Sequence, residues 1–433
     1  MTAPLCVDIV SRYLRPGTLQ LGESPPLSLY VHLPWCIAKC PYCDFNSHAL
    51  PAKLPSVAPP RGDGRGAGLP GAGPTAIAAI AATADGGLPE ARYLDALLAD
   101  LEAALAQVWG RPVISIFIGG GTPSLFSPDG INRLLADIRA RLPLLPGCEI
   151  TLEANPGSFE RERFKAFRAA GVNRLSVGVQ SFDDAMLVKL GRVHDGAQAR
   201  AALTEAAACF DTFNLDLMYA LPGQSLAQLQ TDLDTALSFA PPHLSIYHLT
   251  IEPNTRFALS PPSGLPDNDL ASDMLDLITQ RTASAGLQRY EVSAFARSGH
   301  RCAHNLNYWQ FGDYLGIGAG AHGKLSYPHR VVRQVRWREP NAYMGKALEG
   351  AAMSNDDEVA RAQLPFEFML NALRLREGFA LADFTARTGL ALSAIAQPLA
   401  EAEAKGLIER DLQRVWPTTR GFDFLSDLQA LFL

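Results

Sequence analysis

Six short apolar runs alternate with longer amphipathic stretches across the first two-thirds of the chain, and this alternation restricts the fold more than any other feature. The runs are 27–34 (LSLYVHLP), 113–120 (VISIFIGG), 149–155 (EITLEAN), 173–181 (NRLSVGVQS), 212–219 (TFNLDLMY) and 243–251 (HLSIYHLTI). Between them, 91–108 and 131–142 repeat leucine or isoleucine at helical spacing, and 159–171 ends at Gly171, a C-cap residue. A repeated strand–helix unit implies a parallel sheet with right-handed crossovers. The reading is an α/β fold, a partial (β/α)6-type barrel over 27–300 behind an N-terminal arm (1–26). Active sites of such barrels gather at the C-terminal ends of the strands.

Residues 49–89 break the pattern. They are rich in Pro, Gly and Ala with almost no large side chains, so they bury too little apolar surface to offset their ordering entropy. A disordered insertion is expected there; a lid is the alternative, with few anchors to support it. After a connecting segment (301–360), helical patterns at 364–378, 380–389 and 392–406, a hairpin at 406–421 and a closing helix at 422–433 suggest a winged-helix-like module over 361–433. Such folds often bind DNA, but this stretch carries eight basic and nine acidic residues, the wrong balance for a phosphate backbone.

The 433 residues, 48% hydrophobic, suffice for one large and one smaller domain, and a net charge of −6 gives no sign of a nucleic-acid or anionic-membrane footprint. Seven cysteines is an odd count, and Cys6, Cys148, Cys209 and Cys302 are scattered. A disulfide framework is therefore not expected, and a reducing, cytoplasmic setting is. Residues 1–17 lack the apolar core of a signal peptide, and no apolar run reaches the roughly 20 residues of a membrane span.

The other three cysteines stand together as Cys36-Ile-Ala-Lys-Cys40-Pro-Tyr-Cys43. One loop thus offers three thiolates, the soft ligands of iron–sulfur clusters. Three ligands leave one iron of a 4Fe-4S cluster open to a small molecule. A zinc site completed by His48 is the weaker alternative, because zinc pairs usually come as two separated Cys-x2-Cys units. Gly119-Gly120-Gly121-Thr122-Pro123 follows the second run, where glycines allow close backbone approach to a ligand. Polar residues then mark the later strands: Glu153 and Gln180 at strand ends, Arg192 in the next helix, and Asp216 inside a strand. Carboxylates suit ribose hydroxyls or a sulfonium, and a guanidinium suits a carboxylate.

The cysteine spacing closely resembles the radical S-adenosylmethionine (SAM) superfamily, and the contexts LYVHLPWC, GGGTPS, TLEANP, SVGVQSF, LGRVH and NLDLMYALPGQ resemble its coproporphyrinogen dehydrogenase-like branch. The resemblance spans the chain except 49–89. It implies that Cys36, Cys40 and Cys43 hold a 4Fe-4S cluster whose open iron is chelated by SAM. It also implies SAM contacts at Tyr30, Gly120, Gly121, Thr122, Glu153, Gln180, Arg192 and Asp216, with Thr250 as a further candidate.

This branch includes a decarboxylating dehydrogenase of haem synthesis and a group of haem chaperones. The dehydrogenase usually has a fourth cysteine two residues after the third, where this chain has Phe45, and a longer arm before the tyrosine matching Tyr30. Both departures point to the chaperones. His304-Asn305-Leu306-Asn307-Tyr308-Trp309 matches their HNxxYW pattern, implying haem contacts at His304, Tyr308 and Trp309. Without the resemblance, this trio would read as ordinary core packing; Gly316–Gly323, which follows, reads as a flexible loop beside the site. The implied function is haem carriage to apo-proteins such as respiratory enzymes, with a SAM-ligated cluster. The alternatives are coproporphyrinogen III decarboxylation and radical SAM chemistry on an unrelated substrate. An electron donor, a homodimer and peripheral membrane contact are left open.

Overall fold

The computed structural model describes residues 10–50, 87–157 and 160–433. Six strands lie side by side in chain order: β1 (Leu27–Leu33), β2 (Val113–Gly120), β3 (Leu144–Ala154), β4 (Arg174–Gln180), β5 (Phe213–Tyr219) and β6 (His243–His248). All five pairings between them are parallel. The connections run through α1 (Glu90–Ala104), α2 (Pro128–Arg139), α3 (Glu160–Ala170), α4 (Asp184–Lys189), α5 (Gly196–Cys209) and α6 (Leu226–Ser238). The expected partial barrel is therefore present.

Alternation along each strand builds two different faces. In β1, Leu27, Leu29, Val31 and Leu33 enter the main core with helix residues such as Leu97 and Leu135. Ser28, Tyr30 and His32 point to the other face. Strand register carries this polar row across the sheet: Ser28 lies beside Ser115 and then Glu149, and Glu153 beside Ser176 and then Asn214. Short bonds tie the row together, including Ser28 Oγ to Ser115 Oγ at 2.7 Å and Asn214 Nδ2 to Asp216 Oδ1 at 2.7 Å. One face of the sheet is thus an apolar floor for the helices, and the other is a polar lumen.

The segment after β6 is more structured than a connector. It adds β7 (Gln288–Arg289) and β8 (Ala294–Ala296) at one edge, and β9 (Asp313–Ile317), β10 (His322–Tyr327), β11 (Arg330–Arg336) and β12 (Met353–Glu358) at the other. β9 joins β1 in parallel, and β10 to β12 follow antiparallel. This corrects the expectation of a flexible loop over Gly316–Gly323, whose ends belong to β9 and β10. Gly316 serves close approach rather than flexibility, since a Cβ there would meet the His322 carbonyl oxygen at 2.0 Å.

Most of the expected insertion, residues 51–86, lies outside the described residues. Its start does not: His48–Ala49 pairs in parallel with Trp35–Cys36. At the C-terminus, helices Leu364–Ala372, Leu381–Thr388 and Ala396–Ala404 combine with a three-stranded sheet, Ile408–Arg410 and Phe379–Ala380 flanking Arg414–Pro417. This is the expected winged-helix-like arrangement. Its core includes Phe368, Phe384 and Val415, and Leu19 and Leu21 of the N-terminal arm pack into it. Among the described residues, no helix is long and apolar enough to cross a membrane.

Candidate functional site

The cysteine loop leaves β1 at its C-terminal end and folds back over the lumen. The amide of His48 donates to the Pro34 carbonyl at 2.7 Å, and that of Leu50 to the Cys36 carbonyl at 2.9 Å, which closes the loop. Cys36, Cys40 and Cys43 are all partly accessible free thiols and line one cavity of about 350 Å³. Thr122 donates to Cys36 Sγ at 3.5 Å, and Arg192 Nη1 lies 3.6 Å from Cys40 Sγ. Burial pushes the Cys36 thiol up to about 11, and Cys43 and Cys40 beside it add to the rise. An electropositive iron centre would displace those protons. A soft three-sulfur set beside a guanidinium and a hydroxyl fits a cluster with one open iron. Among the described residues, no three His, Cys, Asp or Glu side chains are grouped to hold a single metal ion, and His48 instead meets the Asn46 side chain at 3.3 Å.

Seven of the expected SAM residues share the cavity with the cysteines: Gly120, Gly121, Thr122, Glu153, Gln180, Arg192 and Asp216. The glycines are there for space. A Cβ on Gly120 (φ +114°) would reach the His32 ring at 2.5 Å, and one on Gly121 would reach the Trp35 carbonyl oxygen at 2.5 Å. Arg192 is not in the expected helix but in the link after α4, directly behind Gly191 at φ +65°. From there its guanidinium donates to Asn155 Oδ1 at 2.5 Å and the Gly178 carbonyl at 2.7 Å, while its buried Nε has no partner among the described residues. Gln180 ends β4 with φ +69° beside a bulge, a conformation that non-glycine residues hold only when the surroundings impose it. Thr250 also lines this cavity.

Glu153 accepts the Gly120 amide at 3.1 Å. Burial pushes its carboxyl up to about 8, helped by nearby Asp216, whose own carboxyl is raised by burial. Glu153 therefore holds a proton near neutrality, and an incoming sulfonium or ammonium would draw it toward the ionised form.

Tyr30 is placed elsewhere. Its hydroxyl meets His32 Nδ1 at 2.9 Å, and its ring lines a second cavity of about 540 Å³ together with Tyr308 and Trp309. The two cavities share Asp44, Phe45, Gly120 and Glu153 in their walls. His304 is not in either wall. It lies on α7 (Ala303–Trp309), which sits against the lumen: Glu149 accepts the Ala303 and His304 amides at 3.2 Å each, and Asn307 donates to Ser28 Oγ at 2.9 Å. His304 is 1% exposed, with Nδ1 3.0 Å from Ser115 Oγ and Nε2 2.9 Å from Tyr308 Oη. Burial pushes it down to about 3, so it is a neutral group that holds Tyr308 in place.

Two functional positions were not singled out in the sequence. Asn155, within the TLEANP motif, donates to Thr122 Oγ1 at 2.7 Å while accepting from Arg192, and so connects the glycine turn to the guanidinium. Asn46, in the cysteine loop, reaches the β9–β10 turn. Only their polar character inside a strand-end or loop motif marked them, and nothing local names their partners.

Residues 30–236 match the radical SAM superfamily, and residues 359–424 match the HemN C-terminal domain. A relative from Escherichia coli (strain K12), "Heme chaperone HemW", is 44% identical over 94% of this chain and 98% of its own length. The Bacillus subtilis protein of that name is 31% identical over 94% and 99%. The mouse mitochondrial radical S-adenosyl methionine domain-containing protein 1 is 36% identical over 76% and 70%. The solved structure of Escherichia coli coproporphyrinogen III oxidase (HemN) matches 94% of this chain and 90% of its own with a TM-score of 0.74 at 22% identity, a likeness of fold. Sequence identity over nearly the full length, with the fold and the two domains, places this chain in the HemW family of haem chaperones within the radical SAM superfamily.

Proposed function

We propose that this protein carries haem in the 540 Å³ cavity and passes it to apo-proteins, with a SAM-ligated 4Fe-4S cluster in the adjoining cavity. The observation that carries the reading is the shared wall: Gly120 and Glu153, expected at SAM, also border the space lined by Tyr308 and Trp309. That volume falls within the roughly 300–1,000 Å³ of small-molecule sites, and flat aromatic walls suit a porphyrin face.

Cys36, Cys40 and Cys43 would hold the cluster, which when bound supplies an open iron for SAM and an electron for reductive chemistry. Arg192 is set to receive a carboxylate through its unpartnered Nε, and Glu153 with Asp216 to balance a cation. Phe45 stands where the decarboxylating relatives place a cysteine. Its exposed ring lies in the wall of both cavities.

The test is anaerobic reconstitution of the cluster in the full chain, followed by SAM with either haem or coproporphyrinogen III. Haem held without turnover and transferred to an apo-cytochrome supports the reading. Protoporphyrinogen formation at a catalytic rate overturns it in favour of the decarboxylase.

A further inference from the structure

The geometry points to His322, at the start of β10, as the protein ligand of the haem iron. This rests on the proposal that the 540 Å³ cavity is the haem site. An iron ligand must present a free lone pair to that cavity, and its histidine, tyrosine, lysine and cysteine candidates can be taken one by one.

His32 is in the wall, but its Nδ1 meets Tyr30 Oη at 2.9 Å and its Nε2 meets the Asn46 carbonyl at 3.0 Å. The Tyr30 hydroxyl is committed to the same bond. Tyr308 Oη is 2.9 Å from His304 Nε2, and Tyr314 Oη accepts from Arg333 at 2.7 Å. Lys324 Nζ is buried and held by Asp313 Oδ1 at 3.1 Å, Ser326 Oγ at 3.2 Å and the Phe311 carbonyl at 2.9 Å. Among the described residues, no cysteine lines this cavity. His304, the histidine of the HNxxYW pattern, is behind the wall with both ring nitrogens bonded. His322 differs from all of these: it is exposed in the wall, and its ring has no hydrogen-bond partner among the described residues.

The surroundings favour ligation. Burial, together with Arg338 and Arg333, lowers the His322 basicity and keeps the imidazole neutral, the form that binds metals. Its backbone is fixed by the close packing of β10 on Gly316. Arg338, also in the wall, is exposed and has no carboxylate partner among the described residues, whereas Arg333 is paired to Glu367 at 2.5 Å. Arg338 is therefore the cation available to a haem propionate.

The experiment titrates hemin into the full-length chain, read by absorption and electron paramagnetic resonance, for wild type, His322→Ala, His322→Met and His304→Ala. The expected result is a histidine-ligated spectrum that His322→Ala loses, with affinity falling at least about tenfold, and that added imidazole restores. His322→Met gives a thioether-ligated spectrum, while His304→Ala keeps the histidine signature. A wild-type spectrum retained in both His322 variants, or lost only in His304→Ala, overturns the assignment and leaves the cavity reading standing. A wild-type chain that binds no hemin overturns both.

Discussion

The side-chain amide of Asn46 donates to the Arg338 carbonyl at 2.8 Å, and its second proton goes to the Ala319 carbonyl at 2.9 Å. One residue of the cysteine loop thereby holds both the turn between β9 and β10 and the segment that follows β11. The loop that carries the thiols and the wall of the larger cavity are mechanically joined.

Asn46→Ala removes both bonds from partly exposed carbonyls, a loss of about 1–2 kcal/mol. The expected outcome is a lower Tm with faster amide exchange in residues 34–50 and 316–323, and little change in the C-terminal module. Uniform exchange across the chain would contradict this coupling.

Glu153 makes stability and SAM binding depend on pH. Its carboxyl sits at about 8 in the folded protein against an ordinary 4.5, so the folded state holds a proton that the unfolded chain has already lost. The stability from that proton is complete below 4.5 and is lost as pH rises through about 8. SAM, bringing a positive sulfonium, favours the ionised form and releases a proton at pH 7. Calorimetry of SAM binding in buffers of different ionisation enthalpy should show this release in the wild type and less of it in Glu153→Gln.

Arg192 serves Cys40, Asn155 and the Gly178 carbonyl from one planar fork. A lysine ammonium cannot reach three such directions. Both Arg192→Ala and Arg192→Lys should weaken SAM binding at least about tenfold, or 1.4 kcal/mol, while iron content stays near four per chain because the thiolates remain. Normal SAM affinity in the lysine variant would show that charge alone suffices.

Gly121→Ala forces a methyl into the Trp35 carbonyl, a backbone atom that cannot swing aside. The cost is about 1–3 kcal/mol, concentrated where the cysteine loop leaves β1. The expected phenotype is a folded chain that loses its reconstituted cluster faster than wild type, measured by the decay of iron–sulfur absorption under argon.

Much of this was legible in the chain. The six parallel strands announce themselves as apolar runs at regular spacing because both faces of their backbone are enclosed, and three cysteines in eight residues can only be brought together by their own loop. Both are local properties, set by side-chain periodicity and short chain separation. What the linear order could not decide is which face a polar residue serves and what stands opposite it. Tyr30 and Glu153 both lie on the lumen face of their strands, yet Tyr30 borders only the larger cavity while Glu153 borders both. The place of β9 to β12 in the sheet was hidden because the group is anchored through the pairing of β9 with β1, across most of the chain, which no local pattern encodes. The contrast between His304 and His322 has the same origin. HNxxYW drew attention to the first, but the hydroxyls of Ser115 and Tyr308 that occupy its nitrogens, and the open space before the second, exist only once residues nearly 200 positions apart are folded together.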